Sequence, residues 1–337
     1  MSFSIETQPF GILPNSESTE PLVEYVVKNE ETGEGFSVIP AHGGILRQLV
    51  LGPKSTLMQV LRAPDSPQAL LADETYASAL LYPFPSRVRH GIYKFEGNDY
   101  ALPLNEPSRD NAIHGLVHPQ PFRVVTQEIT SQYALLTVQY DMTDADTVSG
   151  YPFPFSLQVT YALTAPPAES PNQSCTLTLA FSALNTGTTR CPVAFGWHPY
   201  FTLNNESTDD LTIEMPAEEV IQLDENLLPT GRTPFTNWNA ASPKTMLLHE
   251  RTLDNAFSVP DQPGGVITVL HSPKQQVSLN VWQSQAFPYL VVYTPGRRDS
   301  IAIEPLTANV NAFNTGEGLR VLNPGEDFQG QIRVWME

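Results

Sequence analysis

The chain has 337 residues, 41% of them apolar and only 16% charged, with 36 acidic against 18 basic side chains and a net charge of −18. A body that acidic repels nucleic-acid phosphates and anionic headgroups, so the expected partner is a neutral small molecule, with no nucleic acid and no membrane. No apolar stretch approaches the ~20 residues that span a bilayer, and the opening MSFSIETQPFGILPNSES lacks the basic flank and apolar run of a secretory leader. These features lead to an expected cytoplasmic location.

Along the chain, turn signals punctuate short apolar runs: Glu31-Thr-Gly-Glu-Gly, Glu96-Gly-Asn-Asp, Asn185-Thr-Gly and Pro263-Gly-Gly. One short helix is expected around Ala69 to Ala79. In FSLQVTYAL, Phe155, Leu157, Val159, Tyr161 and Leu163 alternate with Ser156, Gln158 and Thr160, the period-two pattern of a half-buried strand. The Pro-rich patch from Thr164 to Asn172 then reads as a hairpin loop. CTLTLAFSA repeats the alternation (Cys175, Leu177, Leu179, Phe181, Ala183), as do VSLNVW (Val277, Leu279, Val281) and the closing QIRVWM (Ile332, Val334, Met336). So many one-sided strands predict an all-β protein, a large antiparallel β-sandwich. With no repeat and no linker, residues 1–337 are expected to form one domain. Cys175 and Cys191 are too few for a disulfide framework, and both sit in apolar runs as buried free thiols would.

Three polar clusters stand out against apolar surroundings. The first joins Pro83-Phe-Pro-Ser-Arg-Val-Arg-His-Gly-Ile-Tyr to Asn111-Ala-Ile-His-Gly. The second is Phe195-Gly-Trp-His-Pro-Tyr-Phe. The third runs from Ile301-Ala-Ile-Glu-Pro through Asn311-Ala-Phe-Asn to Leu322-Asn-Pro-Gly-Glu. His198, crowded by Trp197, Tyr200 and Phe201, suits a partly buried imidazole beside a sugar's apolar face, or a core histidine satisfied by a carbonyl. Glu304 ends an apolar run, where desolvation raises a carboxylate toward the range of a general base. Its alternative use is an ion pair with Arg297 or Arg298. His114 and His118 have the spacing of a zinc helix, but Gly115 and Pro119 break that helix, and in extended chain the two would lie ~13 Å apart. No metal is therefore expected. Phosphate-cradling glycine loops and nucleophile elbows are absent from the sequence.

In chain order, these fragments resemble the aldose 1-epimerase family: Gly43-Gly44, Arg87 with Gly91, Asn111-Xaa-Ile-His-Gly, His198-Pro-Tyr-Phe, Leu253-Asp254, Glu304, Ala312-Phe-Asn and the Leu322-Xaa-Pro-Gly-Glu turn. The resemblance implies a β-supersandwich and interconversion of the anomers of a free aldose, with Glu304 as base and His198 as acid. It further implies that Arg87 and His114 bind the sugar near the reacting centre, that Asp254 holds ring hydroxyls, and that no cofactor is used. Two positions depart from the family's habit: Ser86 where asparagine is common, and Val291 where glutamine is common. The remaining alternatives are a non-catalytic carbohydrate-binding protein and a glycoside hydrolase pairing Glu304 with Asp254, the latter disfavoured by a histidine in the acid's place. The oligomeric expectation is a monomer or homodimer.

Overall fold

A computed structural model describes residues 2–14, 19–52, 56–144, 150–170, 172–236 and 245–337. Antiparallel sheet dominates it. One of the two main layers is a nine-stranded sheet whose centre runs Tyr133–Met142, Phe155–Thr164, Thr176–Asn185, Asp327–Met336, Val277–Gln283 and Val266–Ser272 as neighbours. Its strands are those expected from period two. In Phe155–Thr164 the residues Phe155, Leu157, Val159, Tyr161 and Leu163 are buried, and the intervening positions are partly or fully open to solvent. Thr176–Asn185 does the same with Leu177, Leu179, Phe181 and Ala183. The connection from Thr164 to Thr176 joins antiparallel neighbours, as a hairpin loop must; Pro171, within it, lies outside the described residues.

The second layer is the sheet that carries the candidate site. Its path is Pro229–Pro234, Glu219–Leu223, Asp254–Ser258, Tyr289–Tyr293, Ile301–Leu306, Gly196–Trp197 and Leu80–Leu81, with Tyr200–Phe201 also paired to Ile301–Leu306. Alternation sorts its residues between two buried faces. Ile301, Ile303, Leu290, Val292, Phe257, Phe195, Trp197 and Phe201 join the same core cluster as the first sheet's inner face. Phe181 of the first sheet stacks on Phe195, the residue just before Gly196–Trp197 of the second, with ring centroids 4.1 Å apart. The opposite parity faces away from that core: Ala302, Leu306, Val291, Tyr293 and Ala256 join smaller apolar clusters there, and Glu304 is buried among them. A third, five-stranded sheet from Phe3–Gly11 to Met58–Gln59 contributes Val27, Phe36, Val38 and Leu49 to the main core.

The expected helix differs in place and length. It spans Pro67–Leu71, with Ser66 accepting a hydrogen bond from the Ala69 amide and proline in the first turn, as helix starts favour. It stops after one turn because Asp73 captures the Thr75 and Ala77 amides with its carboxylate. Tyr76 and Ser78 then adopt left-handed φ values of 56° and 64°. Residues 72–79 become a strap over the second sheet's outer face, tied to it where the Ser78 amide donates to the His198 carbonyl at 2.8 Å. Cys175 and Cys191 are free and buried. No described helix is long and apolar enough to cross a membrane.

Candidate active site

Strand register creates the central pair. Gly196 lies opposite Leu306 and Tyr200 opposite Ala302. The register is thus the same on both sides of Pro199, and His198 falls opposite Glu304. Both point to the face away from the main core, and His198 Nε2 stands 3.4 Å from Glu304 Oε1. His198 is 6% exposed and Glu304 3%. On the next strand Val291 is the cross-strand partner of Glu304, and Asp254 begins the strand beyond, opposite Tyr293. Arg297 and Arg298, the alternative partners weighed for Glu304, are engaged elsewhere: Arg297 lies near Asp299 and Arg298 bonds Asp209.

Arg87 and His114 arrive from a two-stranded ribbon, Arg87–Arg89 against Asn111–Ile113, in which Ile113 is opposite Arg87. His114 follows directly, with its amide bonded to the Ser86 carbonyl at 2.9 Å. It takes a left-handed φ of 63°, and Gly115 continues at 77°. Gly115 cannot be replaced without moving backbone, since a Cβ there would sit 2.2 Å from the Tyr82 carbonyl oxygen. The glycine therefore seats the histidine. The His114 ring meets His198 edge-on at 5.2 Å and lies 4.6 Å from Tyr76 of the strap. Tyr200 stacks on the other side of His198 at 5.0 Å.

Arg87, His114, His198, Asp254 and Glu304 thus come together, lining one cavity of about 910 Å³. His118 lines it too, with Tyr76 placed against both it and His114. Among the described residues no group of three or more His, Cys, Asp or Glu side chains is disposed to hold a metal ion. The third polar cluster of the sequence divides. Asn311 is structural: its amide donates to the Arg87 carbonyl and its side-chain oxygen accepts from the Arg89 amide, locking the ribbon in place. The turn after Leu322 closes on itself through Asn323 and Glu326.

Electrostatics follow burial. Desolvation, helped by the negative Asp254, pushes Glu304 well above the usual carboxylate range, and Arg87 only partly offsets it. Desolvation also pushes His198 and His114 below the usual imidazole range. Asp254, open to the cavity mouth, is raised by burial of its surroundings against the pull of Arg87 and Arg109. Glu106 also lines the cavity and was not singled out in the sequence. Burial pushes its carboxyl up, but hydrogen bonds from Arg87, Asn111 and Arg109 outweigh this and hold it low. It sits in the polar run Asn105-Glu-Pro-Ser-Arg-Asp-Asn, where no pattern marks one acid above its neighbours.

The model of the aldose 1-epimerase family matches residues 26–335. The chain belongs to that family. An uncharacterized protein of Escherichia coli K12, YihR, is 29% identical over 247 residues, 73% of this chain and 75% of its own. Among solved structures, a galactose mutarotase-like protein from Clostridium acetobutylicum superposes with a TM-score of 0.81 at 19% identity, covering 100% of this chain and 99% of the other. A galactose 1-epimerase from Lactobacillus acidophilus NCFM gives 0.79 at 21%, with the same coverage. These likenesses fix the fold as that of galactose mutarotase-like proteins.

Proposed function

We propose that this epimerase-family chain interconverts the α and β anomers of a free aldohexose such as glucose or galactose, with Glu304 as base and His198 as acid. The observation that carries the reading is the cross-strand pair, 3.4 Å apart on the cavity floor. The C1 hydroxyl and the ring oxygen of an aldopyranose are bonded to the same carbon, so two groups this close can serve both at once. Glu304 accepts the proton of the C1 hydroxyl while protonated His198 donates one to the ring oxygen. The C1–O5 bond breaks, the aldehyde forms, and rotation about C1–C2 followed by the reverse transfers closes the ring on the other face. In those reverse transfers Glu304 returns its proton to the carbonyl oxygen and His198 regains one from the O5 hydroxyl, so the pair ends the cycle as it began.

Burial favours Glu304 protonated and His198 neutral, which carries the same total of one proton as the working pair. A bound sugar hydroxyl donates to a carboxylate, and a ring oxygen accepts from an imidazolium, so the substrate itself favours moving that proton to His198. Acid and base assistance are each worth ~10²–10⁴-fold. Arg87, His114 and Asp254 are assigned to hold the ring hydroxyls over the pair, which lowers the entropic part of the barrier. The test is NMR exchange between anomeric signals, run on a panel of free sugars. Expected is exchange far above the spontaneous rate for at least one aldohexose. Absence of acceleration across the panel, or release of sugars from an oligosaccharide, would remove the proposal.

A further inference from the structure

We infer that Glu106 is a positioning residue for this reaction, acting through Arg87, whose guanidinium it fixes in the sugar cavity. Arg87 reaches the cavity on a long side chain that is mobile by default. Here its Nε donates to Glu106 Oε2 at 2.9 Å and its Nη2 to Oε1 at 2.9 Å, a two-pronged grip of the kind that orients as well as binds. Two more donors lock the carboxylate: Arg109 Nη1 at 3.0 Å and Asn111 Nδ2 at 3.1 Å. The side chains of Glu106 and Arg87 are 11% and 15% exposed, so solvent competes weakly for these bonds. With Nε and Nη2 taken, Nη1 is the guanidinium nitrogen with no partner among the described residues, and it is the one left to address a sugar hydroxyl.

A carboxylate in a loop can also serve simply to hold the loop together, but this loop is already closed by its backbone. The Glu106 amide donates to the Asn111 carbonyl at 3.1 Å, the Asn111 amide donates back at 3.3 Å, and the Arg109 amide donates to the Glu106 carbonyl at 3.1 Å. Asn105 fastens the other side, accepting from the Ile113 amide at 2.7 Å and donating to its carbonyl at 2.9 Å. The charge of Glu106 is therefore directed at Arg87. The arrangement has an electrostatic consequence as well, because Arg87 is the cation that opposes the upward push on Glu304. Holding it near the base keeps the base easier to ionise.

This inference rests on the mutarotase reading through the sugar-binding place given to Arg87. It is tested by a double-mutant cycle on the sugar turned over fastest, with Glu106→Ala, Glu106→Gln, Arg87→Met and the Glu106→Ala/Arg87→Met pair. Expected is a loss of roughly tenfold to a hundredfold in kcat/KM for Glu106→Ala, mostly in KM, and a smaller loss for the isosteric Gln. The double variant should be no worse than Arg87→Met, because contacting residues that act as a unit do not add. In Glu106→Ala the acid limb of the pH profile should also move to higher pH, since a displaced Arg87 no longer assists Glu304. Multiplying losses, or an acid limb that moves to lower pH as a mere loss of charge compensation requires, would overturn the inference and leave the function standing. An unimpaired Arg87→Met would instead remove the sugar-binding assignment of Arg87, and the inference with it.

Discussion

The two main sheets share one core and differ in what covers their other face. In the first sheet the far side meets solvent, so Phe155–Thr164 and Thr176–Asn185 alternate buried with open positions along their length. In the site sheet the far side is covered by the strap and ribbon, and Ile301–Leu306 is buried at all six positions. The first sheet spends its polar residues on water. The second places His198 and Glu304 on a covered face, with half-buried Val291 beside them and Asp254 at the open edge, and desolvation moves each of these ionisable groups away from its ordinary pKa. On the proposed function one layer is scaffold and the other carries the chemistry, and substitutions should divide the same way.

The largest effect should come from Glu304→Gln. The amide keeps the shape but cannot accept the proton, so turnover should fall about 10³–10⁴-fold while sugar binding survives. Stability should not suffer. A carboxyl whose folded pKa lies above its unfolded one binds more protons in the native state, so its contribution declines as pH rises from the ordinary glutamate range through the raised value. At neutral pH the glutamine variant should be at least as stable as wild type, and its stability should lose that decline. Turnover above a few per cent of wild type would show that the base is another group.

His198→Asn should cost about 10²–10³-fold in turnover and change the shape of the pH profile. In wild type the pair works while it holds one proton, which gives a bell: activity drops on the acid side when a second proton binds and on the alkaline side when the last one leaves. Without His198 only Glu304 need be ionised. The alkaline limb should vanish, and the acid limb should move up to the raised pKa of Glu304. An alkaline limb that persists would transfer the acid role, with His114 next in line.

These groups were legible in the sequence to different degrees, for physical reasons. Period two exposed the strands of the solvent-facing sheet because one face is wet. The site strand lacks alternation, yet Glu304 stood out because a carboxylate in a wholly apolar run is costly to bury. His198 was marked by the rings crowded around it, whereas Arg87, His114 and Asp254 took their roles from the family's fragments, and the strand and ribbon registers explain why they meet. Glu106 had no such mark, since its partner Arg87 is 19 residues away and the contact exists only after the ribbon and loop close. The strap misled for a related reason: Ala69 to Ala79 contains good helix formers, but the Asp73 side chain offers its amides a competing bond.

Phe181→Ala tests the scaffold side. Phe181 is 2% exposed and packs on Phe195, Phe287 and Phe328. Removing it should cost about 3–5 kcal/mol of stability, measured by denaturant unfolding. Below the new transition, kcat should stay within about threefold of wild type. Because Phe195 leads into the strand that carries His198, a selective collapse of kcat in a folded variant would mean that the two layers are not separable.

The smallest effect, and the one that reaches sugar preference, is expected from Val291→Gln. Val291 lines the cavity directly across from Glu304, between that base and Ala256 on the next strand. Side chains so paired lie about 4.5–5.5 Å apart at Cβ, close enough for an amide at 291 to meet whatever hydroxyl sits beside the base. One neutral hydrogen bond is worth ~0.5–1.5 kcal/mol net, so KM should fall by roughly twofold to tenfold for sugars with a hydroxyl in reach and stay level for the matching deoxy sugars. The acid–base pair is untouched, so kcat should change by less than about twofold. If the glutamine donates to Glu304 instead, the acid limb of kcat/KM will move to lower pH and every sugar will respond alike. A uniform response of that kind would make position 291 a tuner of the base and take it out of sugar selection.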